Sequence, residues 1–188
     1  MVWLVCQNDI MVDNPTEKDL YTVGTIAKIK VVRKKEGFMR VTFTGMRRAK
    51  LAKLYDSKDC MYADVIPLTD SYGDKSEEYA LVKKVVDKLE GMTQVAAVFP
   101  PEVVQQLSLG VNAESLGDQF GQYFSLFDQA TRQRLLETTN VNDRLMLIVE
   151  ELEKQQRYSE LETVINDRVK ERIDDGQKEY YLREKLKA

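Results

Sequence analysis

The sequence contains no histidine and only two cysteines, Cys6 and Cys60, which lack the paired spacing of a zinc site. Histidine is the commonest general base, the commonest protein ligand for metals and the side chain that titrates near neutral pH, so its absence removes most of that chemistry. The sequence also lacks a glycine-rich phosphate loop, a Ser/His or Ser/Lys signature and a carboxylate pair at a strand end. We therefore predict no catalytic, cofactor-binding or metal-binding residue in this chain.

Long hydrophobic runs are absent as well. No apolar run approaches the length that a membrane span requires, and the N-terminus lacks the basic-then-apolar layout of a signal peptide. Two isolated cysteines are typical of free thiols in a reducing compartment. These features predict a cytoplasmic protein that does not interact with membranes.

What the sequence does contain is a high density of charge, with 28 basic and 31 acidic residues and a formal net charge of −3. The segment 28–53 is strongly basic and contains a single acidic residue, Glu36. Lysine side chains on strand edges discourage edge-to-edge association, and this is the interpretation that we favour for the segment. The alternative is a basic patch for nucleic acid or acidic partners, formed by Lys28, Lys30, Arg33, Lys34, Lys35, Arg47 and Arg48.

Residues 1–68 carry the alternating pattern of β-strands. Residues 2–5 form a continuous apolar run, which predicts a strand buried on both faces. A second strand is predicted over residues 23–32, followed by a hairpin turn in which Gly37 takes the position that needs a positive φ. Gly45 interrupts the third strand and predicts a bulge or bend. Short turns between consecutive strands favour an antiparallel meander, which the break at Gly45 would curl into a small half-barrel.

The alternation also predicts which strand side chains face the core. Those predicted to point inward are Ala27, Ile29, Val31, Met39, Val41, Phe43, Met61, Ala63 and Val65. Three apolar side chains, Ile26, Tyr62 and Ile66, share the outward parity of their strands instead. Because exposed apolar side chains next to open strand edges commonly mark interaction sites, we predict that these three form a surface for polypeptide binding or self-association.

After a linker predicted at residues 69–75, the period becomes helical and predicts a helical subdomain over residues 76–188. The first helix carries a single apolar stripe and ends at Gly91. The stripe consists of Leu81, Val85 and Leu89, and later helices are predicted to begin at Pro101, Asn112 and Asp128.

From Asn140 onward the sequence contains no proline and predicts one helix of roughly 70 Å, which exceeds the diameter of a compact domain of this size. The helix carries two apolar stripes separated by the polar stretch 153–160. We expect the first stripe to be buried and the second to protrude, since the polar stretch separates the second from the other helices. The first stripe consists of Leu145, Ile148, Val149 and Leu152, and the second of Leu161, Ile165, Val169 and Ile173.

Four segments of the sequence lie at residues 20–29, 40–49, 135–145 and 177–188, and all four are similar to the N-terminal domain of Lon proteases. LYTVGTIAKI at residues 20–29 resembles a strand that characterises that domain, and RVTFTGMRRA at residues 40–49 resembles its next strand pair. LLETTNVNDRL at residues 135–145 resembles the start of its long helix. QKEYYLREKLKA at residues 177–188 resembles the segment that leads into the ATPase module of the family. Because the segments lie in the same order and are spread over nearly the whole chain, the sequence is identified as a member of this family.

The resemblance implies an α+β fold, in which an antiparallel PUA-like β half-barrel over residues 1–68 is followed by a helical bundle with a long C-terminal helix. It also implies a non-catalytic domain that recognises substrates and supports assembly in an ATP-dependent serine protease. The expected partners are unfolded or damaged polypeptides and the other subunits of a homo-hexamer, while ATP, Mg²⁺ and the Ser-Lys dyad would lie outside this chain. The alternative is a PUA-like nucleic-acid-binding module that uses the basic strands 28–53.

The sequence departs from the family pattern at its start. Members normally carry further strands and a helix ahead of the segment that corresponds to residues 2–5, whereas here Met1 directly precedes that run. Either a truncation has removed the leading segment or the chain is an unusual variant. In both cases we expect strands that should be paired or covered to be left open.

Overall fold

The computed structural model describes residues 1–55, 57, 60–92, 99–109 and 112–187. Within those residues, four antiparallel strands form one sheet in the order β1-β2-β3-β4, and five α-helices follow. This arrangement confirms the predicted antiparallel sheet followed by helices with a long C-terminal helix. The strands are β1 (Val2–Leu4), β2 (Val23–Lys35), β3 (Phe38–Tyr55) and β4 (Tyr62–Pro67). The helices are α1 (Lys75–Glu90), α2 (Pro101–Leu109), α3 (Ala113–Tyr123), α4 (Gln129–Glu137) and α5 (Val141–Lys187).

Two glycines shape the β2–β3 ribbon as the sequence predicts. Gly37 closes the hairpin with a φ of 86°, a conformation that residues with a Cβ rarely adopt. Next to Gly45 the register between β2 and β3 shifts, and Met46 is left without a paired residue. Such a bulge bends the strand and increases its twist, so it reorients the part of the ribbon that lies beyond it.

β1 is an edge strand, and the prediction that residues 2–5 are buried on both faces is wrong. Among the described strands β1 pairs only with β2, and none of its residues is fully buried. Trp3 fixes the strand to the sheet, because its indole Nε1 donates to the Ala49 carbonyl at 3.3 Å. A Cβ added at Gly24 would lie 2.8 Å from Trp3 Nε1, so the indole occupies space that only glycine leaves free.

The inward side chains predicted for the strands are confirmed only in part. Ala27 is fully buried, and Val41, Ala63 and Val65 are half-buried. The physical reason for the failures on β2 and β3 is that these two strands continue beyond the ends of both neighbouring strands, where solvent reaches the side chains on both faces. The predicted inward residues that are exposed are Ile29, Val31, Met39, Phe43 and Met61, the last of which precedes β4.

The main hydrophobic core lies between the helices. Four phenylalanine rings at its centre have centroid separations between 4.6 and 6.1 Å, which is the range of favourable aromatic pairs. The predicted apolar stripe of α1 packs into the same cluster and is buried. The four rings belong to Phe99, Phe120, Phe124 and Phe127.

Side-chain caps begin α3 and α4 where the sequence predicts them. Asn112 Oδ1 accepts a hydrogen bond from the Glu114 amide at 2.9 Å, and Asp128 Oδ1 accepts one from the Thr131 amide at 2.7 Å. Each bond satisfies an amide that the first helical turn leaves without an intrahelical acceptor. α2 begins at Pro101, as predicted from the tolerance of a first helical turn for proline.

α5 is buried at its start and exposed over residues 156–178, as the sequence predicts. All four residues of the first stripe are 2% exposed or less. The four residues of the second stripe are between 48% and 57% exposed. With 47 residues, the helix extends over about 70 Å, so most of it lies beyond the core.

Candidate polypeptide-binding surface

A two-stranded ribbon extends from the sheet at residues 28–44, and we call it the arm. β1 stops pairing with β2 at Ala27, and β4 stops pairing with β3 at Ala49, so only β2 and β3 form the arm among the described strands. Every residue of the arm is exposed except Val41 and Thr44, which are half-buried. Because no described element covers the arm, it presents apolar side chains and unpaired strand edges to solvent. An isolated pair of strands of this kind is only marginally stable in water.

The register divides the side chains of the arm into two faces, since directly paired residues of antiparallel strands lie on the same face. The first, which we call the apolar face, contains the pairs Ile29–Phe43, Val32–Val41 and Lys34–Met39. The second, which we call the cationic face, contains the pairs Lys28–Thr44, Val31–Thr42, Arg33–Arg40 and Lys35–Phe38.

Lys30 marks an irregularity in the arm. A register shift between Ile29 and Val31 leaves Lys30 as a bulge and places Ile29 and Val31 on opposite faces, not on the single inward face that the alternation predicts. The arm carries six basic residues and one acidic residue, Glu36. It is therefore strongly positive although the whole chain has a net charge of −3.

The three residues predicted to form a polypeptide-binding or self-association surface do not all lie together. Tyr62 and Ile66 are exposed on β4, four residues apart and thus on one face of the sheet. Ile66 pairs with Lys50, whereas Ile26 is half-buried and pairs with Arg47. Because Arg47 and Lys50 are three residues apart on a regular part of β3, Ile26 lies on the opposite face from Tyr62 and Ile66.

The seven basic residues of the alternative prediction are also divided. Lys28, Arg33 and Lys35 lie on the cationic face, but Lys34 lies on the apolar face and Lys30 is the bulge residue. The other two lie outside the arm. Arg47 is on the same face as Ile26, and the side chain of Arg48 is largely buried in an ion network. The structure therefore does not gather the seven into one patch.

The ion network joins the base of the arm to the helices. Arg48 Nε donates to the Leu136 carbonyl at 3.1 Å, and its guanidinium pairs with Asp118 and with Asp70. Arg144, whose side chain is 1% exposed, donates to Asp70 Oδ1 at 2.7 Å and lies 3.7 Å from Asp118 Oδ1. The network connects β3, α3, α5 and the segment before α1. It is costly to break, because the side chains of Arg48, Asp70 and Arg144 are largely buried and a lost partner leaves their charge poorly solvated.

No signal in the local sequence revealed this network. Its members are separated by tens of residues along the chain. The hydrophobic periodicity of a sequence does not distinguish charged side chains that form such pairs from those that are solvated at the surface. It removes Arg48 from the residues available to a partner and holds the base of the arm in place.

A cleft of about 920 Å³ lies between the sheet and helices α3 and α4. Three polar side chains of its wall donate hydrogen bonds to backbone carbonyls. Gln133 Nε2 donates to the Val23 carbonyl at 2.9 Å, Gln129 Nε2 to the Gln7 carbonyl at 3.0 Å and Arg132 Nη2 to the Phe124 carbonyl at 3.2 Å. These three side chains therefore connect parts of the fold to one another.

Near β4 two tyrosines are held by side-chain hydrogen bonds. Tyr55 donates to Asp64 Oδ2 at 2.7 Å, and this bond raises the pKa of Tyr55. The pKa of Tyr62 is raised by its hydrogen bond with Cys60. Both tyrosines therefore stay neutral around physiological pH, where they act as amphipathic side chains next to the exposed surface of β4.

Within the described part of the chain, no three acidic or cysteine side chains are grouped so that they could hold a metal ion. Cys6 and Cys60 are both free and exposed. Among the same residues, no helix combines the length and the apolar character that are needed to cross a membrane.

Comparison with known proteins links this architecture to one family. The family model described as the ATP-dependent protease La (LON) substrate-binding domain matches residues 1–154. The N-terminal domain of the Mycobacterium avium complex Lon protease has a similar fold, with a TM-score of 0.62 over 74% of each chain at 23% identity.

Curated relatives match over the whole of this chain. The chain is 34% identical over 188 residues to Lon protease of Syntrophomonas wolfei subsp. wolfei, 31% identical over 188 residues to Lon protease of Escherichia coli strain K12 and 30% identical over 189 residues to Lon protease 1 of Bacillus subtilis strain 168. It covers 23% or 24% of those proteins and thus spans about a quarter of their length. Because the family model matches most of the chain, this protein belongs to the Lon substrate-binding domain family, whose fold it shares with the N-terminal domains of Lon proteases.

Proposed function

We propose that this chain is the substrate-recognition and assembly domain of an ATP-dependent Lon-type serine protease and that it binds unfolded or damaged polypeptide for degradation. The observation that carries the proposal is the apolar face of the arm. Its residues Met39 and Phe43 are 59% and 40% exposed on a ribbon that no described element covers. Exposed apolar surface bordered by charge is typical of sites for protein interaction.

The arm suits an unfolded chain for two physical reasons. An unfolded polypeptide exposes apolar side chains, which can pack on the apolar face, and it also exposes backbone N–H and C=O groups. Those groups can pair with the open edges of β2 and β3, which is an established mode of peptide recognition. A folded protein has already buried most of both kinds of group, so the arm would discriminate against it.

Two other parts of the chain support the proposal. The ion network around Arg48 and Arg144 gives the base of the arm a fixed position relative to the helices. α5 starts in the core beside this network and extends about 70 Å along its axis. We propose that residues 1–68 form the β subdomain, residues 69–75 the linker and residues 76–188 the helical subdomain. We also propose that α5 connects the substrate-binding surface to the ATPase module of the parent protease.

Catalysis in the whole protein would need parts that this chain does not contribute. We propose that ATP, Mg²⁺ and a Ser-Lys dyad are held by other regions of the parent protease, which would assemble as a homo-hexamer. The isolated chain should then neither hydrolyse ATP nor cleave casein. Turnover that co-purifies with the protein peak through successive columns would contradict this part of the proposal.

The experiment that tests polypeptide binding compares one protein in two states. A disulfide-containing protein is labelled and titrated with the chain, both in its native state and after reduction and carboxymethylation, and binding is followed by fluorescence anisotropy. We expect saturable binding of the unfolded state only. Equal binding of both states, or of neither, would overturn the proposal.

Single-stranded DNA in the same assay tests the nucleic-acid alternative. A basic patch that neutralises several phosphates gives an affinity that falls steeply with salt concentration. Because the seven basic residues are divided between faces and Arg48 is engaged by carboxylates, we expect weak binding with a shallow salt dependence. A steep slope with tight binding would favour the alternative.

A further inference from the structure

We propose that the open edge of β3 along residues 38–44 takes up an extended polypeptide segment in which apolar and acidic residues alternate. This inference rests on the proposed function and specifies which edge of the arm is used and which class of substrate segment that edge prefers. Three observations carry it: the difference between the two edges of the arm, the division of its side chains into two faces, and its positive charge.

The two edges of the arm differ in how well they can accept another strand. The β2 edge, residues 28–35, carries five basic residues and is interrupted by the bulge at Lys30. Lysine side chains and bulges are the features by which edge strands avoid pairing. The β3 edge, residues 38–44, carries one basic residue, Arg40, and each of its residues has a partner on β2, because the extra residue of the bulge lies on β2. Among the described residues no strand pairs with its free side, so this edge is open to an added strand.

The faces of the arm select the sequence of the added strand. Successive side chains of a strand point to opposite faces, so every second residue of the segment would lie on the apolar face beside Met39, Val41 and Phe43. The remaining residues would lie on the cationic face beside Arg40, with Arg33 paired to it on β2. Opposite charges stabilise cross-strand neighbours and like charges destabilise them, which favours acidic residues at these positions.

The charge of the arm argues against a second copy of this chain as the occupant. Two β3 edges that paired with each other would bring two positive arms together, each with six basic residues and one acidic residue. Like-charged surfaces repel, whereas an acidic segment is attracted. The occupant is therefore a separate acidic and apolar segment.

The first test uses a fluorescent peptide of alternating valine and glutamate residues, long enough to span residues 38–44, which is titrated with the whole chain. We expect saturable binding and an affinity at least about tenfold weaker for a peptide with the same composition in two blocks, since only the alternating peptide matches both faces. Equal affinity for the two peptides would overturn the inference.

Backbone methylation of the peptide tests the geometry of strand addition. Two further peptides carry N-methyl groups on alternate backbone nitrogens, one in each phase. Only alternate N–H groups of an added strand point to its neighbour, so one methylated peptide should keep its affinity and the other should lose it. Equal losses in both phases, or no loss in either, would contradict pairing with the β3 edge.

Charge reversal on the arm tests the role of the cationic face. Arg40→Glu changes the charge beside the β3 edge, and Arg172→Glu makes the same substitution at an exposed residue of α5, outside the arm, as a matched control. We expect Arg40→Glu to weaken the valine–glutamate peptide about tenfold and to favour a valine–lysine peptide, while Arg172→Glu changes either affinity less than about twofold. Equal effects of the two variants would show that only the overall charge matters and would overturn the inference.

The carboxymethylated protein is titrated in parallel, so that failure of this inference can be distinguished from failure of the proposed function. Binding of that protein without binding of the alternating peptide overturns the assignment of the β3 edge and leaves the proposed function standing. Binding of neither overturns both. A dimer of the chain that sedimentation velocity detects and that the peptide does not dissociate would also overturn the inference, because a second copy would then occupy the edge.

Discussion

Replacing Leu145 by alanine tests whether the first turns of α5 carry the helical core. The Leu145 side chain is 0% exposed and belongs to the cluster that also contains Leu116, Phe120 and Ile148. The substitution removes three carbon atoms, and at about 0.8 kcal/mol per buried CH₂ group the transfer contribution alone is about 2.4 kcal/mol. The cavity that remains adds to this value, so we expect the free energy of unfolding to fall by about 2–5 kcal/mol.

Leu161→Ala is the matched control, because it is the same substitution in the same helix at a residue that is 57% exposed. We expect it to change the free energy of unfolding by no more than about 0.5 kcal/mol. Urea unfolding of both variants is followed by far-UV circular dichroism, which reports on the helices, and by the fluorescence of Trp3, the one tryptophan, which reports on the sheet. Equal losses for the two variants would refute the assignment of the core to the first stripe.

Three further predictions concern the ion network, the exposed part of α5 and a helix cap. Arg144→Ala removes the 2.7 Å partner of Asp70, and we expect urea unfolding to give a loss of about 3–5 kcal/mol in the free energy of unfolding. Amide exchange measured by mass spectrometry should be markedly faster after residue 160, where the apolar stripe is exposed, than across residues 143–152. The backbone hydrogen bond from Thr131 lowers the pKa of Asp128, so the carboxylate stabilises the fold above its unfolded-state pKa and this contribution is lost as the pH falls through the folded-state pKa. Below about pH 4 the stability of the wild type should therefore fall more steeply than that of Asp128→Asn.

Each of these predictions has a control or a contradicting result. Arg134, whose side chain is 56% exposed in its ion pair, is the control for Arg144, and similar losses for alanine at both positions would argue against a special role of the network. Uniform exchange along α5 would mean that its second stripe is packed. Equal slopes of stability against pH for the wild type and Asp128→Asn would show that the Asp128 carboxylate does not titrate with folding.

Local signals in the sequence predicted the elements of the fold well. Gly37, Asn112 and Asp128 act within a few residues of themselves, through a permissive backbone or a side chain that caps the next turn, and their effects can be predicted without knowledge of the tertiary structure. The two stripes of α5 were predicted for a similar reason, since the polar stretch between them ends the buried face of the helix.

The burial and the surfaces of the sheet could not be predicted in the same way. Alternation gives the parity of a strand but not the presence of a covering layer, so Met39 and Phe43 share a face as predicted and yet are exposed. The bulge at Lys30 changes the parity of Val31, and no residue type in that segment announces it. Arg48 was predicted as part of a basic patch because its carboxylate partners are distant in the sequence.

Binding of unfolded polypeptide by the apolar face of the arm can be tested directly. The test compares a double variant, Met39→Ser with Phe43→Ser, with a control that removes two apolar side chains of at least 57% exposure from α5, Leu161→Ser with Ile165→Ser. The affinity of each for the reduced and carboxymethylated protein is measured by fluorescence anisotropy. We expect the arm variant to bind at least about tenfold more weakly than the wild type and the α5 variant to bind as the wild type does. Unchanged affinity in the arm variant, with its circular dichroism spectrum intact, would contradict this expectation.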